Sequence, residues 1–170
     1  MLLRTLPFFH LRKATATLAA AALAGSAGTL AAFVLPSLPS AGPAAITFAL
    51  FLSVLIVPIW FVGILVVGYP AWILVHASGL RGWFTATLVG ALLAAAGSFV
   101  IATQIMGMGQ PPTATDGWVN GRQTIRNGAY TDAGRSAERT TLMFFLVAAA
   151  VGGACAGGTL WRVGYRELSR

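Results

Sequence analysis

Two histidines, four carboxylates and one cysteine are the residues of this chain with a claim to chemistry. His10 and His76 are the histidine pair, and two imidazoles can ligate a haem iron axially. His10 precedes Leu11–Arg12–Lys13, however, a run suited to lipid headgroups. Both histidines are expected near one membrane interface, snorkelling there. The acidic residues are Asp116, Asp132, Glu138 and Glu167. A hydrolase needs paired carboxylates, or a base beside a nucleophile. Asp116, Asp132 and Glu138 share one polar segment with Ser136 and with Arg122, Arg126, Arg135 and Arg139, but with no histidine. Solvated charges paired with arginines are the expected reading. Cys155 is the single cysteine and lies in an apolar block. Alone it makes no internal disulfide, CxxC pair or zinc cage, and an apolar setting leaves a thiol inert. No Gly-rich phosphate loop, HExxH or GxSxG occurs. The chain is therefore expected to be no enzyme and to take no cofactor or metal.

The elements that carry these residues are apolar. Of 170 residues, 57% are hydrophobic and 9% charged, against roughly a quarter charged in a soluble domain. Mean hydropathy is +0.80. This excludes a soluble enzyme, a disordered tail and a coiled coil. The apolar residues fall in four blocks, 15–35, 46–76, 84–106 and 140–161. Crossing roughly 30 Å of hydrocarbon takes about 20 helical residues. The second block is too long for one straight crossing and too short for two with a turn. Pro58 and Pro70 lie within it, and each removes a backbone donor and crowds the preceding turn. One kinked helix bent near Gly68–Tyr69–Pro70 is expected, with a re-entrant segment as the alternative. The fold class is an all-α integral membrane protein. It is a single transmembrane domain over 1–170, a four-transmembrane-helix bundle with one long extracytoplasmic loop at 107–139.

Orientation follows from the basic residues. Arg4, Arg12, Lys13, Arg81, Arg162, Arg166 and Arg170 fall on one side, against four arginines in the long loop, where three acids offset them. A bacterial inner (plasma) membrane location is expected, multi-pass, with both termini cytoplasmic. Trp83 and Trp161 then share the cytoplasmic aromatic belt. A cleaved signal peptide is the rival reading of the start, with Ala22–Leu23–Ala24 as its cleavage site. The net charge of +7 suits anionic headgroups. No nucleic-acid partner is expected, because no basic stripe interleaves with aromatics.

Small residues recur at four-residue spacing: Ala16, Ala20, Ala24, Gly28 and Ala32; Ala86, Gly90, Ala94, Ser98 and Ala102; Ala149, Gly153 and Gly157. Such ridges let helix backbones approach closely in lipid. Gly28, Gly90, Gly153 and Gly157 are the expected packing positions, joining spans one, three and four. The second span, bulky all round, is expected to face lipid or another protein. No Asp, Glu, Lys or Arg lies inside a span, which argues against an ion-coupled carrier or proton relay. The two halves share no break pattern, so an inverted-repeat transporter is not indicated.

In the long loop, Asn120–Gly121 and Asn127–Gly128 are two-residue hairpin signals. A three-stranded meander over 118–131 and an irregular loop are both compatible with them. Asp132 is expected to cap the helix that becomes the fourth span. A tether needs only a few residues, so a loop this long suggests recognition. Trp118, Arg122, Arg126 and Tyr130 are its candidate partner-binding residues.

Three motifs carry a resemblance. They are Val67–Gly68–Tyr69–Pro70–Ala71, Val119–Asn120–Gly121–Arg122–Gln123–Thr124, and the run Gly152–Gly153–Ala154–Cys155–Ala156–Gly157–Gly158–Thr159–Leu160–Trp161. On these the chain resembles a loosely defined group of small, uncharacterised four-span bacterial inner-membrane proteins. The stretch 127–139 departs from that pattern like an insertion. The resemblance implies fold and location and brings no catalytic residues. The expected partners are the lipid bilayer and a membrane-protein partner or a second copy of the chain. The expected role is structural or accessory, as a subunit of a membrane assembly. The alternative is a small permease or oligomeric channel.

Overall fold

The computed structural model describes residues 11–37, 39, 42–80, 82–119 and 121–166. His10, Arg4, Arg81, Asn120, Glu167 and Arg170 lie outside the described residues, as does the side chain of Arg166. Among those described, four helices are long and apolar enough to cross a membrane: Thr15–Val34, Pro43–Ala77, Trp83–Ile105 and Asp132–Val163.

Helix α1 spans Leu11–Val34. The second of these four is α2, Pro43–Gly63, then a π turn at Ile64–Gly68, then α3, Tyr69–Ala77. Pro43 starts α2, where a missing N–H costs nothing. The irregularity expected at Gly68–Tyr69–Pro70 takes the form of the π turn. Tyr69 N–H donates to the carbonyl of Ile64, five residues back. Pro70 has no N–H, and its ring would press on the carbonyl four residues earlier. Widening the turn by one residue relieves that pressure. The helix resumes at once, so a continuous helix replaces the re-entrant alternative. Helix α4 spans Trp83–Val100 and ends in a second π turn at Ile101–Ile105, where Met106 N–H reaches Ile101 at 3.0 Å. No proline accompanies it. The Thr103 hydroxyl donates to the Phe99 carbonyl at 2.9 Å, a local bond of the kind that competes with the helix ladder. Helix α5 spans Asp132–Arg166; its first two turns are polar, and the apolar block that starts near 140 lies within it.

The chain divides into two compact units, one of residues 1–95 and 148–170, the other of residues 96–147. The core of the first unit joins Leu18, Ala21 and Ala22 of α1 to Ile64 and to Ala156 and Leu160 of α5, with Trp60 and Tyr69 packed against them. The backbone approaches here are closer than side chains allow. A Cβ added at Gly90 would strike the Gly153 carbonyl, and one at Gly157 would strike the Ala86 carbonyl. A Cβ at Gly28 would meet Cys155 Sγ at 2.9 Å and the Gly152 Cα at 3.2 Å. Cys155 thus flanks a helix contact, while remaining exposed overall. A Cβ at Gly152 would strike the Thr29 hydroxyl and stand 2.6 Å from the Trp60 ring. The Trp60 indole N–H donates to that hydroxyl at 3.1 Å, so a tryptophan lies across two glycine-lined backbones with its polar edge satisfied.

The ridge expected on α1 needs correction. Of Ala16, Ala20, Ala24, Gly28 and Ala32, only Gly28 is buried. The buried stripe is Thr17, Leu18, Ala21, Ala22, Gly25, Ser26, Gly28 and Thr29. At about 3.6 residues per turn, a strict four-residue ridge drifts about 40° each step. A straight contact needs steps of four mixed with steps of three, as in 18, 22, 26 and 29. Ala86 and Ala102 of the α4 ridge are buried, while Gly90, Ala94 and Ser98 are half-buried. On α5, a second ridge of Ala148, Gly152, Ala156 and Leu160 is buried beside Ala149, Gly153 and Gly157. The first meets α1 and Trp60; the second meets α4. Elsewhere the apolar surface is open. Phe48 is 61% exposed, Phe51 68% and Leu92 61%, on helices long and apolar enough to cross a membrane.

Candidate functional site

The second unit holds a long polar connection, and its described residues form a small sheet. Strand β1 is Gly117–Val119, β2 is Arg122–Arg126 and β3 is Ala129–Tyr130. They form an antiparallel sheet in the order β1-β2-β3. Of the two readings the sequence left open, the meander is the one adopted. Asn127 and Gly128 have φ of 51° and 73°, the positive values a two-residue type I′ hairpin requires. Gly121, with φ 74°, serves the first turn. Gly128 N–H also donates to the Thr115 carbonyl at 2.8 Å.

A three-stranded sheet this small needs something to pack on, and the start of α5 supplies it. Thr131 N–H donates to the Thr124 carbonyl at 3.0 Å. The Thr131 hydroxyl donates to the Gln123 carbonyl at 2.7 Å and accepts from Gly134 N–H at 3.1 Å. Thr131, not Asp132, is therefore the N-cap of α5. Asp132 is the acid of the first turn and pairs with Arg135 at 2.8 Å, an exposed pair of little energetic weight. The close approach explains Gly134, which is buried. A Cβ there would strike the Thr124 carbonyl and stand 3.1 Å from the Tyr130 ring. Farther along, Glu138 accepts from Gly109 N–H at 2.8 Å, and Asp116 accepts from the Gln123 amide at 3.3 Å. Two of the three loop acids thus hold the loop's own backbone or side chains.

The four recognition candidates do not form one patch. Side chains alternate across a strand, so Arg122, Thr124 and Arg126 share one face of β2, and Gln123 and Ile125 share the other. The register pairs Trp118 with Gln123 and Tyr130 with Ile125, which puts both aromatics opposite the arginines. Tyr130 is half-buried against α5, while Trp118 is 66% exposed. Val119 pairs with Arg122 and Ala129 with Arg126, and all four of these residues are exposed. Sequence reasoning weighed the residue types but had no register, and register decides the face. It also missed Thr131 and Gly134. The Thr-x-x-Gly spacing just ahead of the α5 turn was their only signal.

Of the other candidates, His76 is buried and stacks on Trp72, with ring centroids 5.3 Å apart and planes 24° from parallel. Among the described residues, no group of three or more His, Cys, Asp or Glu is placed to hold a metal ion. No family model, curated protein or solved structure matches the chain, so the resemblance drawn from the three motifs stands on those motifs alone.

Proposed function

We propose that the chain is a non-enzymatic multi-pass protein of a bacterial inner membrane, a structural or accessory subunit of a larger membrane assembly. Its recognition element is the meander, which presents Arg122 and Arg126 to an acidic surface of a partner chain. The observation that carries this reading is the anchoring of the meander. Thr131 and Gly134 fix β2 to the start of α5, so two arginines stand on a rigid support and lose little freedom on binding. Arginines on an ordered sheet, four residues apart on one strand face, suit bidentate carboxylate recognition. The absence of acidic or basic residues from the apolar cores of the spans supports a scaffold over a carrier. Replacing Arg122 and Arg126 by glutamate and comparing the chains that co-purify in gentle detergent tests this reading.

The proposed orientation has both termini in the cytoplasm and the meander outside. It rests on the distribution of basic residues. Reporter fusions after Arg170 and within the loop at Thr115 are expected to give opposite responses, cytoplasmic for the first and extracytoplasmic for the second. A C-terminal fusion active only outside the cytoplasm would reverse the topology and place the arginine face inside.

A further inference from the structure

The first unit carries a groove between the start of α4 and the last turns of α5. Trp83, Ala154, Cys155, Gly158 and Arg162 line it. Its floor is apolar. The two hydroxyls that reach it are spent on their own helices: Thr87 donates to the Trp83 carbonyl at 3.0 Å and Thr159 to the Cys155 carbonyl at 2.8 Å. Its mouth is cationic. Arg162 is the first charge after the apolar run of α5, and it is exposed, with no ion pair among the described residues. The Trp83 indole nitrogen sits one turn deeper, 3.5 Å from where a Gly158 Cβ would stand. From Arg162 to Ala154 the groove follows α5 for about 12 Å at 1.5 Å per residue.

Resting on the membrane placement proposed above, we infer that this groove is a binding site for an anionic phospholipid. The occupant follows from the order of chemistry along the groove. A guanidinium at headgroup depth fits a phosphodiester. An indole N–H one turn lower fits an ester carbonyl. Glycine and alanine below leave room for the top of an acyl chain, and a free phosphate has nothing to place there. A zwitterionic lipid offers the same phosphate but brings a choline cation towards Arg162. The site therefore discriminates by net headgroup charge.

The full chain reconstituted in vesicles of equimolar phosphatidylglycerol and phosphatidylcholine, extracted in mild detergent and analysed for co-retained lipid by mass spectrometry, tests this. Phosphatidylglycerol is expected to be retained about fivefold over phosphatidylcholine, the ratio set by about 1 kcal/mol per interfacial arginine. Arg162→Gln should remove the preference. Gly158→Leu should remove retention of both lipids, and the chain should still fold, because a Cβ at Gly158 makes only ordinary contacts. Arg139→Gln, an equal loss of charge elsewhere, should leave the preference intact. Equal retention of the two lipids, a preference that survives Arg162→Gln and Gly158→Leu, or one that Arg139→Gln also abolishes would each overturn the site. If the chain does not stay with the vesicles after alkaline extraction, the membrane placement itself falls, a result separable from a resident chain without headgroup preference.

Discussion

Gly153→Leu is expected to abolish the folded, detergent-stable form of the chain, while Gly63→Leu leaves it intact. At Gly153 an added Cβ strikes the Gly90 carbonyl and stands 2.6 Å from the Ala94 Cβ. The neighbour is backbone and cannot rotate away, so α4 and α5 must separate where Gly90 meets Gly153. Overpacking typically costs about 1–3 kcal/mol, and a backbone collision belongs at the top of that range or above it. Gly90→Leu meets the reciprocal carbonyl and should behave alike. Gly63 has nothing within 4 Å of the Cβ position, and leucine there adds helix propensity. Thermal unfolding in one detergent, followed by tryptophan fluorescence, compares the three variants. Equal stabilities would mean that the α4–α5 contact is not what holds the first unit together.

The second large effect is expected at Gly134. Gly134→Val should release the meander from α5 without unfolding α5, because its Cβ points at the Thr124 carbonyl. Amide exchange should accelerate about tenfold or more at Thr131 and Gly128, whose N–H groups are bonded to Thr124 and Thr115, as expected when local opening becomes about 1.4 kcal/mol easier. Mild proteolysis should then cut within 107–131. Thr131→Val, which removes the cap and the bond to Gln123, should act in the same direction, with Thr131→Ser restoring protection. Exchange rates unchanged in Gly134→Val would mean the sheet stands without its helix.

What the sequence made legible divides by physical cause. The four long apolar helices could be read because length and apolarity are summed over about 20 residues, and single errors average out. Pro70 announced the irregularity in the second apolar helix, because a missing donor is a local and unconditional fact. The second π turn at Ile101–Ile105 had no such marker. The α1 ridge was misread because a four-residue spacing looks like a stripe in one dimension and spirals in three, and only the 3–4 alternation through Leu18, Ala22, Ser26 and Thr29 stays against one neighbour. Gly152 was passed over beside Gly153, although adjacent small residues point about 100° apart and let α5 serve two neighbours. In the loop, Asn127–Gly128 identified a turn from backbone chemistry alone. The separation of Trp118 and Tyr130 from Arg122 and Arg126 depended on a register that no residue type encodes.

The proposed role of the anchored meander is to present Arg122 and Arg126 to a partner chain. Mass spectrometry of chains co-purifying with the wild type and with the Arg122→Glu, Arg126→Glu double variant, both extracted gently and matched for amount and for resistance to mild proteolysis, tests it most directly. One or more chains should be present near stoichiometric amount with the wild type and lost from the variant, with the meander protected in both. An identical set of co-purifying chains, or only the protein's own mass in both preparations, would contradict it.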